Sequence, residues 1–237
     1  KDGQRLVDVF RDRVVIGVRD LDGALVGFTG RAAPGADAPK YINTKETAAF
    51  RKGELLLGLA ENADKLAQGA IPTRVEGAFD AIAVTMAGEG RVVGVAPMGT
   101  ALTDRQADLL ADAGPNGVVW VTTDTDKAGI KASHADFWSL AAAGADTYIP
   151  LLVDFKNPAS AVKDPAELYQ RDGGVSLRHS LDVEDPGSTP VQPLLAGALI
   201  NQILNSDRRI DDREAPIIVN AARNAASIIA MTPPAHW

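Results

Sequence analysis

Arg74-Val75-Glu76-Gly77-Ala78-Phe79-Asp80, followed by Val119-Trp120-Val121-Thr122-Thr123-Asp124-Thr125-Asp126-Lys127-Ala128-Gly129, decides how this chain is read. Each stretch is a β-branched, largely apolar run that ends in carboxylates and passes into a segment of helical character. In an open α/β sheet, ligands gather beyond the carboxyl ends of the strands. Glu76, Asp80, Asp124 and Asp126 are therefore expected to face one crevice. Carboxylates crowded together repel unless cations sit between them, and oxygen-only donors suit Mg²⁺ or Mn²⁺. Alone, a Glu-Gly or an Asp-x-Asp is usually a solvated turn, and Asp80 could be a first-turn acid favoured by the helix dipole. Their recurrence on successive strand–helix units is what favours a metal site.

Working outward, residues 71–153 alternate strand and helix. A strand ends at Val75, a helix covers Ala78–Ala87, and a strand covers Val92–Ala96. Thr103–Ala113 is a helix opened by a Thr103/Gln106 capping box. Val118–Val121 is a strand of buried composition, Lys131–Ala143 a helix and Thr147–Leu152 a strand. That order predicts a parallel sheet. Residues 1–70 read differently. Val14–Arg19 and Ala24–Thr29 flank Asp20-Leu21-Asp22-Gly23, a hairpin signal. Gly30–Pro39 is a loop, and Lys52–Gln68 is expected to be helical, with Leu55, Leu56, Leu59 and Leu66 on one side. Residues 154–237 are less regular: a Pro- and Gly-rich linker from Asp182 to Pro193, then expected helices at Leu194–Leu204 and Ile217–Met231. The expected architecture is α/β (α+β overall): a mixed subdomain at 1–70, a parallel-sheet domain at 71–153 and a helical tail at 154–237.

Composition narrows the chemistry. The 237 residues are 46% hydrophobic and 23% charged, ordinary for a soluble globular protein. The absence of cysteine excludes disulfides and thiolate zinc sites. Three dispersed histidines (His134, His179, His236) suggest no imidazole centre. No run of 18 apolar residues is present, so a cytoplasmic protein without a membrane partner is expected. The first residue is not Met, and the chain is expected to be a piece of a longer protein. A net charge of −7 argues against a generally basic nucleic-acid binder. Residues 1–65 are close to neutral, however, so a local basic groove there is compatible with an acidic whole. Within that region, Pro39-Lys40-Tyr41-Ile42-Asn43-Thr44 precedes Phe50-Arg51-Lys52-Gly53. Lys40 and Lys52 could bind phosphates, Tyr41 could stack on a base and Asn43 could bond a base or sugar. By itself this is an ordinary polar loop.

Taken together, the motifs resemble the catalytic core of bacterial DnaG-type primases, which contains a Toprim fold. Val75-Glu76-Gly77-x-x-Asp80 resembles that family's Glu-Gly-x-x-Asp element, and Asp124-Thr125-Asp126-Lys127-Ala128-Gly129 its Asp-x-Asp-[Arg/Lys]-Ala-Gly element. Gly99-Thr100-Ala101-Leu102-Thr103 resembles the loop between them. Val26-Gly27-Phe28-Thr29-Gly30-Arg31, Lys40-Tyr41-Ile42-Asn43 and Asp164-Pro165 with Leu168 match in collinear order.

The resemblance implies that Glu76, Asp80, Asp124, Asp126 and Asp164 belong to a Mg²⁺ or Mn²⁺ and nucleotide site. It also implies that Arg31, Lys40, Tyr41, Asn43, Lys52 and Lys127 contact nucleotide or single-stranded template. The implied reaction is nucleotidyl transfer from NTPs on single-stranded DNA, with a helicase or further domains of the parent protein as partners. Ala166 stands where the family has a third late acid, with Glu167 next to it, and Thr125 replaces a Gly. The composition suggests the primase-like module of a conjugative relaxase or another mobile-element protein. Two alternatives stand beside this reading. One is a catalytically decayed module that binds single-stranded DNA or a partner. The other is a Toprim nuclease or topoisomerase, for which Tyr41, Tyr148 and Tyr169 offer no suitable nucleophile context.

Overall fold

The structure, a computed structural model, describes residues 8–99, 101–122, 135, 136, 138–150 and 152–182. The expected linker and the two helices beyond it lie outside the described residues.

The expected hairpin is present. Strand β1 (Arg13–Arg19) pairs antiparallel with β2 (Leu25–Ala32), and β3 (Tyr41–Asn43) pairs with the far side of β2. The turn closes on itself: Asp20 Oδ1 accepts the backbone N–H groups of Asp22 and Ala24, and Gly23 supplies the positive φ of +82°. The register sets Arg31 opposite Tyr41 and Thr29 opposite Asn43, so Arg31, Tyr41 and Asn43 share one face of this small sheet.

The expected helix over Lys52–Gln68 is a correction. The chain instead forms a 3₁₀ turn at Lys52–Glu54, the short strand β4 (Leu56–Leu57), a second 3₁₀ turn at Ala60–Asn62 and a single helical turn and a half, α1 (Ala63–Ala67). The physical reason lies in Leu55, Leu56, Leu57 and Leu59, all buried. A helix would turn part of that continuous run to solvent, whereas an edge strand buries both faces. Gly58 then breaks the run at φ +96°, its backbone so close to Gly94 that a Cβ would lie 2.2 Å from the Gly94 carbonyl oxygen.

In the alternating region the expected order of strands and helices recurs among the described residues, with 131–134 of the expected helix Lys131–Ala143 lying outside them. Strands β5 (Ile71–Val75), β6 (Val92–Pro97), β7 (Val118–Thr122) and β8 (Asp146–Tyr148) are parallel, and β4 adds antiparallel to β6, giving the order β4-β6-β5-β7-β8. Helix α2 (Ala78–Ala87) follows β5, and α3 (Asp104–Ala113) follows β6. The capping box of α3 is complete, with Gln106 N donating to Thr103 Oγ1 and Thr103 N donating to Gln106 Oε1. A fourth helix, α4, contributes 135, 136 and 138–142. Strand β8 stops at Tyr148, short of the expected Leu152, because Pro150 cannot donate to a ladder. Two further helices, α5 (Pro165–Asp172) and α6 (Val175–Ser180), were not expected. Asp164 caps α5, Pro165 occupies its first turn and Gly173 ends it at φ +72°.

Two apolar clusters sandwich the sheet. One joins Val75, Val92, Ala81 and Val84 with Leu168, Leu177 and Leu181 of the α5–α6 region, and extends to Val18, Phe50, Leu55 and Leu57 of the amino-terminal part. The other packs Val93, Val95, Val119 and Val121 against Leu109, Leu110 and Leu140. Among the described residues no helix is long and apolar enough to cross a membrane.

Candidate functional site

The strands that precede the two acidic segments are neighbours. Strands β5 and β7 are adjacent and parallel, and Val75, just before Glu76, is in register with Thr122, two residues before Asp124. Asp124, Asp126 and Lys127 themselves lie outside the described residues. Glu76 is exposed at the sheet's edge. Gly77 is the N-cap of α2, and Asp80 lies in its first turn, where the positive end of the helix dipole favours an acid.

The amino-terminal sheet brings Arg31 and Tyr41 up to the start of α2. A Cβ on Gly77 would lie 3.1 Å from Asp80 Oδ2 and 3.3 Å from the Tyr41 hydroxyl, so that glycine keeps the three groups close. The Arg31 guanidinium carbon lies 4.6 Å from the Phe79 ring centroid and 5.8 Å from that of Tyr41, a cation–π contact that bridges the amino-terminal sheet and α2. Lys40 Nζ is 5.9 Å from the Tyr41 centroid. Burial raises the Tyr41 phenol; Arg31 pulls it down, while Asp80 and Asp164 push it up. Tyr41 thus sits within the field of two of the expected site acids.

Asp80 and Asp164 also hold structure. Asp80 Oδ1 accepts the backbone N–H of Ala166 at 3.1 Å, and Asp164 Oδ1 accepts that of Glu167 at 2.7 Å as the α5 cap. Glu167 accepts from Lys163 N and from Arg171 Nη2, both at 2.8 Å. Both hydrogen bonds tie Glu167 to the start of α5. Among the described residues no group of three or more His, Asp or Glu is placed to hold a metal ion. The donor chemistry at this edge is nevertheless all oxygen, which fits Mg²⁺ or Mn²⁺ provided that Asp124 and Asp126 join Glu76.

The expected polar contacts from the amino-terminal part divide. Asn43 Nδ2 donates to the Met98 carbonyl at 3.1 Å, tying β3 to the end of β6. The Lys52 carbonyl accepts from Gln106 Nε2 at 2.9 Å, and Gly53 O accepts from Thr103 Oγ1 at 2.6 Å, so this turn is anchored to α3. Lys40 is exposed.

Two residues at the site carried no expectation. Arg74, two positions before Glu76, is in register with Val95 and Val121, a charge in an otherwise apolar row. Its Nε lies 2.7 Å from Asp136 Oδ2 of α4, and each side chain is 1% exposed. Burial pushes the Asp136 carboxyl up while Arg74 pulls it down. The sequence signal was an arginine inside a strand otherwise fit for burial.

Comparison with known proteins follows the same lines. Residues 1–63 match the family described as DNA primase catalytic core, N-terminal domain, and residues 74–162 match the Toprim-like family. A DNA primase of Deinococcus radiodurans is 41% identical over 180 residues, covering 75% of this chain and 29% of that protein. The chain spans 19% to 31% of the length of the curated relatives it matches. The Aquifex aeolicus primase structure (zinc-binding and RNA polymerase domains) superposes with a TM-score of 0.68 at 28% identity, covering 97% of this chain and 55% of that one. A DnaG primase catalytic domain bound to single-stranded DNA gives 0.67 at 25% identity, covering 97% and 73%.

Proposed function

We propose that this chain, whose residues 1–63 match the DNA primase catalytic core, N-terminal domain family and 74–162 the Toprim-like family, acts in metal-dependent nucleotidyl transfer, making short RNA on single-stranded DNA. The observation that carries the proposal is the parallel register of Val75 with Thr122, by which β5 and β7, the strands preceding the two acidic segments, end at the same edge of the sheet. Glu76, Asp124 and Asp126 would hold Mg²⁺ or Mn²⁺, with Asp80 and Asp164 close by. The ion would offset charge on the phosphates during transfer. Arg31, Lys40 and Tyr41, which lie together near the start of α2, would offer two cations and an aromatic face to a template strand, with Lys52, Asn43 and Lys127 as further contacts. NTPs are the second substrate. The expected conjugative relaxase or mobile-element parent gains no support from relatives named DNA primase and is not part of the proposal.

The test is primer synthesis from NTPs on single-stranded DNA with Mg²⁺ or Mn²⁺. Short RNA products are expected from the wild type and none from Asp124→Ala or Glu76→Gln. Absence of product from the wild type, or undiminished product from Asp124→Ala, overturns the proposal.

A second reading is favoured by the hydrogen bonds that engage Asp80 and Asp164 with backbone N–H groups. In it, the module binds single-stranded DNA or a partner without chemistry. It predicts no calorimetric signal with Mn²⁺ and DNA affinity indifferent to loss of Asp124 and Asp126.

A further inference from the structure

The row Val95–Arg74–Val121 crosses the middle of the sheet on the face covered by α3 and α4. A strand position of that kind is ordinarily aliphatic. Arg74 instead meets Asp136 in a fully buried ion pair at 2.7 Å. Buried pairs of this sort do little for stability, because the desolvation of both ions consumes most of the attraction; well-packed apolar residues do as well or better. The location of this pair points to another role. Asp136 Oδ1 also accepts the Leu102 backbone N–H at 3.4 Å, in the loop just before the Thr103 cap of α3. Arg74 belongs to β5, two residues before Glu76, and Asp136 to α4, the helix into which the second acidic segment leads. The pair therefore joins three elements directly behind the acidic edge: the strand end bearing Glu76, the loop at Leu102, and α4. Glu76 is near enough for its charge to act on both partners.

We propose that Arg74 and Asp136 form a positioning pair for Glu76, fixing the strand end that carries it against α4 and the Leu102 loop. An ion pair suits that task because separating two opposite charges in a dry interior leaves each uncompensated and is strongly unfavourable, whereas an aliphatic contact tolerates sliding. The inference rests on the proposed role of Glu76 as a ligand for a divalent ion.

The test compares Mn²⁺ binding, by calorimetry or by the electron paramagnetic resonance of free Mn²⁺, in the wild type, Glu76→Gln and the double variant Arg74→Met/Asp136→Leu. Each protein is also melted. The double variant is expected to melt close to the wild type and to bind Mn²⁺ about tenfold or more weakly, the scale of losses when groups supporting a metal ligand are removed. In primer synthesis its Mn²⁺ requirement should rise by a similar factor. Unchanged Mn²⁺ affinity of the folded double variant, whatever its melting midpoint, marks a purely structural pair and overturns the inference. Should the double variant not fold, Asp136→Asn, which keeps the shape and the acceptor for Leu102, decides by the same titration: weaker binding supports positioning and unchanged binding overturns it. A wild type that binds no Mn²⁺, or a Glu76→Gln protein that binds it equally well, overturns the metal role of Glu76 itself, a failure distinct from an inert Arg74–Asp136 pair.

Discussion

The backbone N–H of Ala166 donates to Asp80 Oδ1 over 3.1 Å, linking residues 86 positions apart. One carboxylate on the first turn of α2 thereby fixes the start of α5, where Asp164 serves as cap. Asp80→Ala is expected to lower the stability of the fold by about 1–3 kcal/mol, since it leaves a partly buried donor without its acceptor. Asp80→Asn keeps an acceptor oxygen and should lose clearly less. Urea denaturation of both variants checks the difference; equal losses would show that the hydrogen bond contributes little.

Arg31 reaches across to Phe79, so its removal should be felt in template binding. Arg31→Met is expected to weaken single-stranded DNA binding and to reduce the magnitude of the salt slope by about 1, the signature of one lost phosphate contact. Phe79→Leu, which keeps the apolar bulk but not the ring, should leave that slope unchanged. Titrations by fluorescence anisotropy at several salt concentrations separate the two.

Gly94 lies where α2 presses most closely on the sheet: a Cβ there would sit 2.3 Å from the Ala81 carbonyl oxygen and 2.5 Å from its Cα. Both obstacles are backbone, so neither can rotate away. Gly94→Ala is expected to cost about 1–3 kcal/mol by overpacking. Gly99→Ala, where nothing stands within 4 Å, is the control with little change in thermal melting.

Tyr148 donates to Asp146 Oδ2 at 2.9 Å, and burial together with that bond pushes its phenol up to about 12. A phenol whose pKa is raised on folding contributes stability that is fully present below pH 10, its ordinary value, and lost as the pH climbs towards 12. Half-exposure reduces the effect to on the order of 1 kcal/mol. Tyr148→Phe should therefore lose less stability than the wild type between pH 9 and 11 in denaturant titrations.

Arg171 gathers the loop that precedes α5. It donates to Asp154 Oδ2, Ser160 Oγ, the Ala161 carbonyl and Glu167 Oε1 at 2.6–3.1 Å. Its hydrogen bond holds the Glu167 carboxyl below the usual carboxylate range. A depressed acid stabilises above its ordinary pKa and loses that contribution as the pH falls. Arg171→Met is expected to be less stable at pH 7 and to show a shallower further loss towards pH 3. Limited proteolysis should also cut the variant sooner between residues 154 and 164.

How much of this was legible beforehand follows from the scale of each signal. The hairpin was written in Asp22-Gly23, and the strand–helix alternation in runs such as Val92–Pro97, because those signals are local. The α3 cap was equally readable from Thr103 and Gln106. The Leu55–Leu59 run misled, since a cluster of leucines suits a helix or a buried edge strand alike, and only the proximity of Gly58 to Gly94 decides between them. Helix α5 went unseen although Asp164, Pro165 and Glu167 are sound starting residues; its eight residues carry too short a period to stand out. The Arg74–Asp136 pair could not be foreseen, because its members are 62 positions apart and only tertiary packing brings them together. For the acidic edge, sequence order named the residues, and what it could not supply is the adjacency of β5 and β7, the two strands that the acidic segments follow.

Phe50 and Val18 share one apolar cluster with Val75 and Leu168. A fragment starting at Ile71 would uncover the underside of β5 and α2, and one ending at Val153 would strip away Leu168, Leu177 and Leu181. Expression of either half on its own should give insoluble material, whereas mixing two separately produced pieces that meet in the exposed loop at 33–40 could reassemble the whole.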